Sequence, residues 1–158
     1  MEVRVHRIPH STNVERVALA LAHKGLTATW VDVDPGDRAA LLALSGQDLV
    51  PVLECGDEVV PDSTAILAWL EARVPAPALW PADVRDRAQA DIAIDWFNRV
   101  WKVAPNAIAA ELGRAAPDAA RIAALSGEMG ATLPWFEALL HDRDFLLGDA
   151  LGALDLVA

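Results

Sequence analysis

An α/β domain followed by an all-helical domain is the architecture this chain predicts, and three observations predict it. Short β-prone runs alternate with helical patterns up to Val74, prolines at positions 75, 77 and 81 then interrupt the chain, and beyond them the apolar spacing is that of long helices. The expected order over residues 1–74 is strand, helix, strand, helix, β-hairpin, helix (βαβαββα), with a linker over 75–82 and an all-α domain over 83–158.

Val3 to Ile8 is a β-prone run closed by Pro9 and reads as the first strand. Ser11, Thr12 and Asn13 open a helix, and Thr12 with Glu15 fits a capping box, which leaves the Ser11 hydroxyl unspent. Val14, Val17, Ala18, Leu21 and Ala22 share one apolar face, while Leu19 and Ala20 lie off it, so this helix is expected to be covered on two sides. His23 and Lys24 suit the negative end of its dipole, and Gly25 can adopt the left-handed stop. Thr27 to Val33 reads as the second strand, Asp34 to Asp37 as a turn, and a short helix follows through Leu44. Val52 to Glu54 and Glu58 to Val60 flank Gly56-Asp57 and form a hairpin. A helix follows at once, with Asp62 and Ser63 at its mouth as cap candidates and Ile66, Trp69 and Leu70 at helical spacing.

In the second half, Asp83 to about Ala110 carries Ile92, Trp96, Val100 and Val103 on one face, and Pro105 should bend or end the helix by removing a backbone donor. Asp118 to about His141 carries Ile122, Leu125, Met129, Leu133, Phe136 and Leu140, with a kink expected at Pro134, whose ring meets the carbonyl of Gly130. Trp96, Phe97 and Trp101 read as packing residues rather than a substrate platform.

The totals exclude several function classes. A net charge of −10 argues against nucleic acid, whose phosphates need clustered Lys and Arg. No uncharged apolar run reaches the roughly 18 residues of a membrane span, and Glu2, Arg4, His6 and Arg7 do not suit a signal peptide, so no membrane partner is expected and the cytoplasm is the default location. A single cysteine, Cys55, rules out an internal disulfide, and His6, His10, His23 and His141 lack metal-ligand spacing, so no metal is expected.

The order Val50-Pro51, strand, Gly56-Asp57 turn, strand, Asp62-Ser63, helix resembles the glutathione-binding half of cytosolic glutathione transferases of the bacterial, serine-containing type. Their thioredoxin-like domain places a cis-proline before one strand and an acidic-Ser pair before its last helix. Further on, Phe145 to Asp149 followed by Gly152 and Asp155 resembles the entry to the buried sixth helix of these transferases, with Gly152 where a Ser or Thr cap is usual. Members of ordinary construction continue beyond that helix, so the resemblance implies an incomplete, C-terminally truncated helical domain, or else a naturally short protein.

The same resemblance implies a site for glutathione, a tripeptide with two carboxylates, an ammonium and a thiol. The backbone of Val50, turned outward by a cis bond at Pro51, pairs with the cysteinyl backbone as one more strand. Asp62 takes the ammonium, and Ser63 with the helix N-terminus receives the γ-glutamyl carboxylate. Gln47 is a weaker candidate for the glycine end, since Asp48-Leu49 separates it from Val50. Ser11 occupies the position facing the substrate sulfur, Asn13 is the rival donor, and His10 is a candidate wall of the electrophile site. The implied activity is conjugation of the glutathione thiolate to a small hydrophobic electrophile in detoxification, or a glutathione-assisted isomerisation, in a soluble homodimer. A transferase fold kept as a non-catalytic interaction or ligand-binding module is the alternative. Disulfide exchange is disfavoured, because the helix start reads Ser11-Thr12-Asn13-Val14 where that chemistry needs cysteine.

Overall fold

A computed structural model describes residues 2–158, and the chain divides into two units, 1–80 and 81–158. The first unit runs β1 (Arg4–Arg7), α1 (Thr12–His23), β2 (Thr29–Asp32), α2 (Ala39–Ser45), β3 (Val52–Cys55), β4 (Glu58–Pro61) and α3 (Ser63–Arg73). This is the expected order, with β1 and β2 shorter than the β-prone runs that contain them. The strands form one mixed sheet in the order β2-β1-β3-β4, in which β1 is parallel to β2 and antiparallel to β3, and β3 is antiparallel to β4. Val5, Val52 and Leu53 are fully buried in the sheet, and Val17, Ala20, Ile66, Leu67 and Leu70 are fully buried on α1 and α3, which pack together. The driving force is removal of this apolar surface from water.

Helix α1 departs from expectation at its start, while Gly25 takes the left-handed stop expected at its end, with φ 66°. Ser11, not Thr12, is the N-cap residue, so the Thr12–Glu15 capping box is not formed; Ser11 makes no side-chain cap bond. Its carbonyl accepts the first helical bonds, from the N–H groups of Val14 and Glu15 at 3.0 Å each. A turn through His10, which has φ 65°, brings Ser11 to that boundary. Val14, Val17 and Leu21 are buried as the stripe predicted, and so is Ala20, whereas Leu19 is 49% exposed and Ala22 is exposed. At the far end Lys24 does more than face its own helix dipole. Its ammonium, with no exposed side-chain surface, binds Glu71 Oε2 at 2.7 Å and the carbonyls of Val74 and Pro77 at 2.6 and 3.0 Å. Glu71 also accepts from the N–H groups of Leu79 and Trp80, so the proline-rich segment is fastened to α1 and α3 with Leu79 and Trp80 buried. Removing one partner of a buried pair of this kind costs about 3–5 kcal/mol.

The second unit contains α4 (Val84–Trp96), a π turn (Phe97–Trp101), α5 (Val103–Leu112), α6 (Ala119–Leu139) and α7 (Ala153–Val157). The interruption between α4 and α5 therefore lies ahead of Pro105. Lys102 N–H bonds the carbonyl of Phe97, and Pro105 falls in the first turn of α5, where a missing N–H costs nothing. Helix α6 runs through Pro134, and a Cβ at Gly130, four residues back, would meet open space. The buried face of α4 is Ala90 and Ile94, followed by Phe97, rather than the expected stripe, since Ile92, Val100 and Val103 are 70%, 57% and 58% exposed. Packing between helices is aromatic. Phe97 stacks on Trp101 at 4.8 Å between ring centres, Phe136 meets both edge-on, and the Trp101 indole N–H donates to Thr132 Oγ1 at 2.9 Å. Asp155 accepts from the N–H groups of Gly152 and Leu146 at 2.8 and 2.7 Å, which closes the first turn of α7 without a side chain at the cap.

Candidate functional site

Strand register decides where the motif residues meet. His6 near the end of β1 pairs with Val52 at the start of β3, and Val52 pairs in turn with Pro61 at the end of β4. The loop after β1, the loop before β3 and the turn after β4 therefore open at one end of the sheet. Those three segments carry His10-Ser11, Val50-Pro51 and Asp62-Ser63 respectively. Residues about 40 to 50 positions apart in sequence become neighbours because β3 runs antiparallel to both β1 and β4.

The Val50–Pro51 peptide is cis, as expected, with Pro51 buried and Val50 half-buried beyond the end of the strand ladder. Asp62 is the N-cap of α3 and has φ 72°, which is uncommon for a residue with a Cβ. Its Oδ1 accepts from the N–H groups of Thr64 and Ala65 at 2.8 and 3.0 Å, an Asx-type geometry that holds an exposed carboxylate at the mouth of the helix. Ser63 is the first helical residue and only 2% exposed. Ser11, at the N-terminus of α1, is half-buried, Asn13 follows one residue inside the helix, and His10 is exposed. Gln47 is folded back on its own loop, its Nε2 donating to the Leu49 carbonyl at 2.7 Å and its Oε1 accepting from Leu49 N–H at 2.9 Å. Its amide thus shapes the approach to Val50.

The residue that sequence reasoning passed over is Arg16. It is 3% exposed, and its Nη1 donates to Ser63 Oγ at 2.8 Å, joining α1 to the first turn of α3. Burial pushes the guanidinium below its ordinary pKa, while the Asp62 carboxylate acts in the opposite sense. A signal was present: Ala20, off the main apolar stripe of α1, lies four residues after Arg16 and so shares its side of the helix. Among the described residues, no group of three or more His, Cys, Asp or Glu could hold a metal ion, and no helix is long and apolar enough to cross a membrane.

Residues 5–78 match the family model for the glutathione S-transferase N-terminal domain. Glutathione S-transferase GstB of Escherichia coli K12 is 30% identical over 156 residues, which is 93% of this chain and 75% of that protein. The chain belongs to the glutathione S-transferase family. Maleylpyruvate isomerase of a Ralstonia species is 37% identical over 98 residues, covering 58% of this chain and 46% of that enzyme, so the match spans less than half of that relative's length. The crystal structure of the theta-class glutathione S-transferase of Xanthomonas axonopodis pv. citri, solved with glutathione bound, superposes with a TM-score of 0.85 at 27% identity, covering 98% of this chain and 77% of that one. The α/β sheet unit and the helical region that follows are thus the transferase fold.

Proposed function

We propose that this chain binds glutathione at the sheet end where Val50, Asp62 and Ser63 meet, and lowers the pKa of its thiol at the N-terminus of α1. The observation that carries this reading is the convergence of the cis Val50–Pro51 segment, the Asp62-capped α3 and the start of α1 at one end of the sheet. Support comes from the glutathione-bound relative of the same fold. In this reading the Val50 backbone takes the cysteinyl backbone as an added strand, Asp62 takes the ammonium, and Ser63, through its hydroxyl and its own N–H at the mouth of α3, takes the γ-glutamyl carboxylate. Gln47 contributes at the glycine end through the loop it shapes.

Ser11 is the favoured donor to the sulfur because it stands at the N-terminus of α1 with a hydroxyl that no cap bond orients, so its proton can turn to the ligand. Asn13 is the rival. A free thiol titrates near about 8.5, and a hydrogen bond to a charged group is worth about 1.5–3 kcal/mol, so a donor that favours the thiolate lowers that pKa by roughly one to two units. The N-terminus of α1 acts in the same sense. The thiolate then attacks an electrophilic carbon; in conjugation the new carbon–sulfur bond is kept and the leaving group departs. Similarity to a maleylpyruvate isomerase favours a second use of the same thiolate, in which it adds to a carbon–carbon double bond, lets it rotate and is expelled again. Glutathione is then not consumed. A cytoplasmic homodimer goes with this reading, and sedimentation of the purified chain tests the dimer.

The deciding experiment is a pH titration of glutathione thiolate absorbance on the protein, corrected for free ligand. A bound pKa clearly below that of free glutathione is expected, and Ser11→Ala should raise it by about one to two units. An unshifted pKa would leave a binding module without catalysis. If Asn13→Ala raises the pKa and Ser11→Ala does not, Asn13 is the donor.

A further inference from the structure

Three features of the first unit bear on how Ser63 works. Its side chain sits 2% exposed at the first helical position of α3, the Arg16 guanidinium from α1 donates into its oxygen at 2.8 Å, and the neighbouring Asp62 already satisfies the N–H groups of Thr64 and Ala65. A serine hydroxyl has one proton to give and lone pairs to receive. With Arg16 filling a lone pair, the hydroxyl proton is left for another acceptor, and a donor whose oxygen accepts from a cation is polarised toward giving it.

We infer that Arg16 is a positioning residue that acts through Ser63, turning its hydroxyl into a committed donor for the γ-glutamyl carboxylate and so setting the site's preference for ligands that carry that group. This rests on the glutathione reading above. It assigns to a buried arginine, which need not touch the ligand, control over carboxylate selectivity at the helix mouth. The buried positive charge adds to the partial charge of the α3 N-terminus, and both favour an anion there. The inference also gives α1 two separate tasks: Ser11 at its first turn serves the central cysteine's sulfur, and Arg16, further along, serves the γ-glutamyl end of the tripeptide.

The test compares two ligands on three proteins. Glutathione carries the γ-glutamyl carboxylate; 4-aminobutyryl-Cys-Gly keeps the ammonium, thiol and backbone and lacks it. Dissociation constants for both are measured on the wild type, Arg16→Gln and Arg16→Lys, with urea unfolding to show that each variant is folded. Arg16→Gln should weaken glutathione by about tenfold or more and the analogue by less than about twofold, because only the former uses the donor that Arg16 orients. Arg16→Lys, which keeps the buried charge but not the planar fork, should show an intermediate ratio. If Arg16→Gln does not fold, Arg16→Lys alone decides. Equal weakening of both ligands, or an unchanged ratio in the folded variants, would overturn the inference and reduce Arg16 to a packing residue, leaving the glutathione reading intact. If the wild type binds neither ligand, the glutathione reading itself fails and takes this inference with it.

Discussion

The N-termini of α1 and α3 face the same end of the sheet and are built in opposite ways. At α3 the polar groups are committed: Asp62 caps two amides with one oxygen, and Ser63 is buried against Arg16. At α1 the cap residue Ser11 makes no side-chain cap bond, and only its carbonyl serves the helix. The difference teaches where each kind of work can be done. A carboxylate is best held by dipoles and donors already in place, since none of them must reorganise when it arrives. A donor to a sulfur must be able to turn its proton toward the ligand, and the Ser11 hydroxyl, which makes no cap bond, is not held in one orientation by the helix.

This contrast can be broken in order of size. The largest effect is expected from Ser63→Ala, which removes the donor and leaves the Arg16 guanidinium without the oxygen it binds. Glutathione should bind about tenfold to a hundredfold more weakly by calorimetry, the loss expected for a hydrogen bond to a charged group. Binding unchanged within about twofold would show that the backbone N–H at position 63 and the dipole of α3 suffice. Next comes Asp62→Ala, which deletes both cap bonds at a residue with φ 72° and should cost about 1–2 kcal/mol in urea unfolding. Asp62→Gly sharpens the test, because glycine tolerates that φ and should lose only a few tenths of a kcal/mol. Smallest is Ser11→Ala, whose unfolding free energy should stay within about 0.5 kcal/mol of wild type, as no cap is lost. A destabilisation of 1 kcal/mol or more would mean that Ser11 is a cap in solution, and the contrast would disappear.

The site was legible in part. Val50-Pro51 and Asp62-Ser63 could be found because a residue pair before a strand and a cap before a helix are local signals, complete within a few positions. Ser11 could be found at the helix start, but not that it displaces Thr12 as the cap, since that depends on the turn through His10. Arg16 reads locally as one more charged residue on a helix. Its partner lies 47 positions away, and only the packing of α1 on α3 brings the two together. In the second unit the apolar stripe expected on α4 is largely exposed, with Ile92 at 70%, and the buried positions are Ala90, Ile94 and Phe97 instead. A helix with apolar residues on several sides has no unique inward face in its sequence.

By itself the sequence determined the element order, the hairpin about Gly56-Asp57 and the start of α3. All of these follow from composition, periodicity and turn chemistry acting over a few residues. Tertiary structure alone decided which hydroxyl is free and which is held, that Lys24 fastens residues 74 to 80 through Glu71, and that three separated loops share one end of the sheet. The physical reason is the same in each case. A buried polar group must find a partner, and that partner is supplied by whichever segment the packing of the core brings alongside, not by its neighbours in the chain.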